Sequence, residues 1–126
     1  MAEALLKQEL KKRKITCFSV TSAGLRVRTG DTVHPLSRTV LQEVNCPISE
    51  KFKSKRLTPK AIESAWLIIA MTEEIGRRIG KDYVYTMKRL SGYEIPDPYG
   101  KEIDYYRYCL DLLRLAIPVI VEKITR

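Results

Sequence analysis

The sequence predicts an α/β fold, a parallel sheet of three strands flanked by helices, in one domain spanning residues 1–126. Three observations predict it. Segments with a helical period alternate with short apolar, β-branched segments, an order that implies crossovers between parallel strands. Trp66-Leu67-Ile68-Ile69-Ala70-Met71 is an unbroken apolar run of the length of a strand covered on both faces. Ile103, Tyr106, Leu110, Leu113, Ile117, Ile120 and Ile124 alternate three and four apart, which is one face of a long helix.

Residues 2–14 are rich in strong helix formers, with Leu6 and Leu10 four apart and Lys11 to Lys14 placed where cations suit the helix dipole. Ile15-Thr16-Cys17-Phe18-Ser19-Val20 then predicts a buried strand that runs into a loop at Ser22-Ala23-Gly24. Gly30-Asp31 marks a turn. Leu36, Val40 and Val44 repeat every four positions after Pro35, which predicts a helix over 34–45. Residues 46–57 carry Lys51, Lys53, Lys55 and Arg56 without periodicity and are expected to be a basic loop. Thr58-Pro59 starts a short helix through Ala65.

After the strand at 66–71, Thr72-Glu73-Glu74 caps a helix that holds Ile75 and Ile79 and ends near Gly80. Tyr83 to Met87 reads as the next strand, and Arg89 to Gly100 as a long loop. In the last helix Pro118 removes a backbone donor and is expected to kink or open the turn around Arg114. Its apolar stripe is expected to pack on the sheet, with Tyr106 in the core; a coiled coil is the rival reading.

Composition narrows the function. The 23 Lys and Arg against 15 Asp and Glu give a net charge of +8, which suits an anionic partner or only a basic surface. No apolar run approaches the roughly 18–20 residues of a membrane span, so no membrane partner and a cytoplasmic location are expected. Cys17, Cys46 and Cys109 fit neither a disulfide framework nor a paired CxxC motif, and Cys17 and Cys109 are expected as small buried hydrophobes. With His34 the sole histidine, no transition-metal site and no cofactor are expected. The basic runs lack a base-stacking or groove-reading motif, so nucleic acid is set aside as a partner.

No nucleotide-binding glycine motif and no hydrolase elbow is present. A phosphate-cradling loop with a cysteine nucleophile needs Cys-x5-Arg, because backbone N–H groups ring the anion while the guanidinium forks onto two oxygens. The three cysteines meet Ala23, Phe52 and Leu115 at that spacing. In Ile95-Pro96-Asp97-Pro98-Tyr99-Gly100 two prolines flank one carboxylate and restrict the residue before each, so Asp97 is presented stiffly, as a general acid must be. A plain Asp-Pro turn is the alternative.

Met1-Ala2-Glu3-Ala4-Leu5-Leu6, Ser22-Ala23-Gly24-Leu25, Leu57-Thr58-Pro59, Leu67 to Thr72 and Ile95 to Gly100 occur in the order and at about the spacing of the low-molecular-weight protein tyrosine phosphatases. The chain resembles that family over nearly its whole length, and the related arsenate reductases fit less well at the Asp-Pro loop. The resemblance implies a flavodoxin-like fold and hydrolysis of phosphate monoesters, on a phosphorylated protein or a small phosphate ester. It implies a general-acid role for Asp97, an aromatic wall of the substrate cleft at Tyr99, and a loop-bracing serine at Ser22. In the family the segment similar to Met1 to Leu6 follows the first, central strand and a Cys-x5-Arg-Ser-Pro loop. The expectation is therefore a sheet without that strand and a chain that begins after its catalytic loop, inactive as it stands. Phe52 stands near the position of a family histidine and Trp66 where the family has aspartate. A non-catalytic pseudophosphatase serving as a binding module is the alternative. The strands at 15–20 and 66–71 would have open inner edges, which predicts closure, a homodimer or an unstable fragment.

Overall fold

The computed structural model describes residues 1–25 and 30–126. The helices come out near where periodicity and caps place them: α1 Ala2–Lys12, α2 Pro35–Glu43, α3 Pro59–Ser64, α4 Glu73–Ile79, α5 Met87–Ser91 and α6 Ile103–Ile124. Local chemistry accounts for their starts. Thr58, Thr72 and Thr86 each lend a side-chain oxygen to a backbone N–H of the first turn of α3, α4 and α5. Gly80 and Gly92, both left-handed, end α4 and α5. The short α5 occupies the start of the stretch expected as loop, because Thr86 supplies the cap that a reading of Tyr83 to Met87 as strand conceals.

The α/β class and the parallel sheet are as expected, but among the described residues two strands pair rather than three. β1 (Ile68–Ala70) and β2 (Val84–Thr86) pair in parallel, Ile68 against Val84 and Ala70 against Thr86, and α4 is the crossover. Residues 15–20 form no strand. A strand exists only with a neighbour to accept its ladder, and among the described residues none lies beside this segment. It lies instead half on the core through Ile15, Phe18 and Val20, while Thr16, Cys17 and Ser19 face out. Cys17 is accordingly exposed, not buried as its expected mid-strand position implied. The basic loop makes the other parallel contact, a single bridge between Gly24 and Arg56.

Helices cover both faces of the small sheet. Ala70, Val84 and Thr86 meet α4 at Gly76, while Ile69 and Met71 pack against the main core. That core joins Leu5 and Leu10 of α1, Val40 and Leu41 of α2, Met87 of α5, and Tyr106, Cys109, Leu110, Leu113, Ala116, Ile117, Ile120 and Val121 of α6. The stripe of α6 thus packs chiefly on helices, and Ile69 and Met71 join the same core from the side of the sheet. Tyr106 is in the core, as its place on the stripe requires. The helix continues unbroken through Pro118, whose half-exposed position leaves the Arg114 carbonyl on a face that water reaches.

The approach of α4 to the sheet depends on a missing side chain. A Cβ at Gly76 would stand 3.1 Å from Thr86 Cγ2, so Gly76→Ala is expected to cost about 1–3 kcal/mol despite the better helix propensity of alanine. Urea denaturation of the two forms measures it, and a neutral or stabilising result would mean that α4 shifts freely.

Candidate active site

The loop between α5 and α6 is pinned at both ends. Ile95 is buried, with its N–H 3.5 Å from the Met71 carbonyl at the end of β1, and the Cys109 thiol of α6 donates to the Pro96 carbonyl at 3.3 Å. Between these anchors the backbone turns outward. Asp97 is exposed, and its Oδ1 accepts the Tyr99 N–H at 3.0 Å, closing an Asx turn over Pro98. The Pro98 carbonyl accepts from the Lys101 N–H, and Gly100 takes φ 79°, which lets the chain reverse into α6. Both readings of the Asp-Pro motif therefore coexist: it is a turn, and the turn presents a carboxylate to solvent.

Tyr99 is 77% exposed, yet it does not stand alone. The His34 ring meets it edge-on with centroids 6.2 Å apart, and stacks at 5.3 Å on Tyr106. His34 is the N-cap of α2, where Nδ1 accepts the Leu36 N–H at 3.2 Å. The sequence reading used this histidine only to exclude a metal. Its one local signal was Pro35, which makes it a cap position; the aromatic cluster joins residues 34, 99 and 106 and has no local trace. Burial, with Asp97 second, holds the Tyr106 phenol above its ordinary range.

Ser22 lies at the first turn of α1, where its hydroxyl donates to Glu3 Oε1 at 2.7 Å; Lys7 bonds the other oxygen at 2.9 Å. At the far end of α1 Arg13 reaches Glu122 of α6 at 3.2 Å. Met1 and Ala2 pack on the core that α6 builds, so the two helices run in the same direction. Counting back twelve residues along each, at about 1.5 Å per residue, brings Met1 level with Leu110. Next to Leu110 is Cys109, which holds Pro96. Met1, Ser22 and the Asp97 loop therefore share one end of the helix pair.

Burial would raise the Glu3 carboxyl, but hydrogen bonds from Lys7 and Ser22 outweigh it and hold the group below its ordinary value. A carboxylate depressed by folding stabilises the fold above its unfolded pKa, and that share is lost as pH falls through the folded value. Glu3→Gln is thus expected to destabilise at pH 7 and to converge on the parent as pH falls through that lowered folded value. Thermal unfolding across that range checks it; a constant offset at every pH would assign the effect to packing.

Among the described residues no group of three His, Cys, Asp or Glu could hold a metal ion, and no helix is long and apolar enough to cross a membrane. Burial pushes the Cys46 and Cys109 thiols up, away from the thiolate a nucleophile must be. The arrangement offers an exposed carboxyl group at Asp97, an exposed aromatic ring at Tyr99 and a polar first turn of a helix, and no Cys-x5-Arg occurs in the sequence.

The family model for low molecular weight phosphotyrosine protein phosphatases matches residues 1–126. The chain belongs to that family. Relatives of this phosphatase-family chain include a protein-arginine-phosphatase of Geobacillus stearothermophilus, 31% identical over 98% of this chain and 86% of its own. A probable low molecular weight protein-tyrosine-phosphatase EpsP of Ralstonia nicotianae is 26% identical over 98% of this chain and 86% of its own. A YwlE mutant from Bacillus subtilis superposes with a TM-score of 0.89 at 28% identity, covering 99% of this chain and 88% of that one. The flavodoxin-like phosphatase fold expected from the motifs is thereby shown.

Proposed function

We propose that residues 1–126 form the acid-bearing part of a low molecular weight phosphatase site, and that by themselves they hydrolyse no phosphate ester. The carrying observation is the loop at 95–100, which is anchored to β1 and α6 and presents Asp97 and Tyr99 at the end of the domain where α1 begins. In a phosphatase reaction Asp97 would protonate the leaving group as its bond to phosphorus breaks. Tyr99 would lie against that leaving group, with Ser22 bracing the phosphate loop. Relatives are named for tyrosine and for arginine phosphatases, and a phenol and a guanidine are both planar groups that an aromatic wall suits. The substrate class is accordingly a phosphorylated protein side chain or a small phosphate ester of similar shape.

The decisive experiment is to translate the DNA immediately ahead of the Met1 codon in frame. An apolar strand followed by Cys-x5-Arg-Ser-Pro is the expected result and assigns Asp97 its acid role in a complete enzyme. A stop codon or unrelated sequence would overturn that reading in favour of a non-catalytic pseudophosphatase that works by binding. The observation favouring this second reading is Trp66, 67% exposed and stacked on Phe18 at 5.3 Å, an exposed aromatic surface of the kind that serves binding.

The same architecture bears on self-association. The Ile68 N–H bonds to Tyr83, so the parallel register turns the Ile69 N–H and C=O toward the opposite edge of β1, which has no ladder among the described residues. Pairing of two copies along that edge satisfies both groups. Sedimentation equilibrium is expected to show a concentration-dependent dimer, and a monomer across the micromolar range would exclude it.

A further inference from the structure

We propose that His34 is the residue that positions Tyr99. The proposal rests on the reading of Tyr99 as a cleft residue, but not on catalysis by this chain. His34 links three parts of the molecule. Its Nδ1 accepts the Leu36 N–H and caps α2, its face lies on Tyr106 at 23° between ring planes, and it meets Tyr99 edge-on at 81°. Tyr106 is 2% exposed and anchored in α6, so the imidazole has a fixed floor. The Asx bond from Asp97 holds only the backbone of Tyr99; the His34 ring is what steadies its side chain.

The two contacts of His34 are separable. The capping bond needs only an acceptor at the place of Nδ1, whereas the edge contact with Tyr99 needs a ring, so each can be removed without the other. On α2 itself Arg38 bonds the His34 carbonyl through its N–H and sends its guanidinium to the Ile48 carbonyl.

His34 is the only histidine, so its ring signals are unique in a proton NMR spectrum of the full chain. The Leu36 amide and the Tyr99 ring signals, the latter assigned through Tyr99→Leu, report the two contacts separately. His34→Asn keeps a capping acceptor without a ring, and is expected to leave Leu36 in place while Tyr99 shifts. His34→Phe keeps a ring without the acceptor, and is expected to move Leu36 while Tyr99 stays. Tyr99 signals indifferent to His34→Asn would overturn the proposal, as would a Tyr99 shift in His34→Phe as large as in His34→Asn. None of these readouts depends on phosphatase activity, so a silent enzyme leaves the test intact.

Discussion

The 126-residue chain is expected to release p-nitrophenol from its phosphate ester no faster than buffer does, with or without vanadate. In this family type of chemistry a thiolate takes the phosphoryl group, a ring of backbone N–H groups and a guanidinium hold its charge, and an acid protonates the departing oxygen. Of these, residues 1–126 supply only the role proposed for Asp97. Cys17 is exposed but has no arginine six positions on, and Cys46 and Cys109 are buried thiols pushed away from ionisation. Each absent contribution is worth about a factor of 100 or more, so an acid alone leaves the rate at background.

Joining a segment with an apolar strand and a Cys-x5-Arg-Ser-Pro loop ahead of Met1 is expected to create activity. In that joined protein Asp97→Asn should lower kcat about 10²–10⁴-fold for a poor leaving group, and less for p-nitrophenolate, which needs little protonation. Turnover by the unmodified chain would mean that another nucleophile exists, and the roles assigned here would fall with that result.

The second large effect is on stability. Leu113→Ala is expected to destabilise by about 2–5 kcal/mol, because Leu113 is 2% exposed at the centre of the surface that α6 shares with α1, α2 and α5. A sheet of two three-residue strands can contribute little to offset it, and typical domains have only about 5–15 kcal/mol in total. Leu115→Ala is the control: the same chemical change two residues further on, at a position 55% exposed, is expected to shift stability by no more than about 0.5 kcal/mol. Urea midpoints at equal m-values measure both. Equal losses from the two variants would mean that α6 presents a different face to the core.

The contrast between those two leucines shows how much of the fold is written locally. The three- and four-residue spacing along 103–124 identified the buried face of α6 and placed Tyr106 in it, and Thr58, Thr72 and Gly80 marked helix ends where the structure has them. Helices are legible in this way because their hydrogen bonds close within a few residues, so the caps and the period carry the whole signal. The Asp97 loop was legible for a similar reason: two prolines restrict a short stretch of backbone whatever surrounds it.

Residues 15–20 show where that legibility ends. Their β-branched composition is that of a strand, but strand formation depends on a neighbouring ladder, and without one the same residues lie half-buried with Cys17 exposed. The small α5 and the passage of α6 through Pro118 were likewise decided by surroundings: the Thr86 cap in one, a water-facing carbonyl in the other.

Composition, period and motif order were enough to assign the α/β class, the phosphatase family and the absence of a Cys-x5-Arg in these residues. Only the tertiary structure could pair two strands rather than three among the described residues, bring Ser22 to Glu3, and place His34 between Tyr99 and Tyr106. The division follows from physics. Local backbone preferences act over a few residues and are printed in the chain, whereas strand pairing and side-chain clusters are made between segments tens of residues apart, and exist only once packing has brought those segments together.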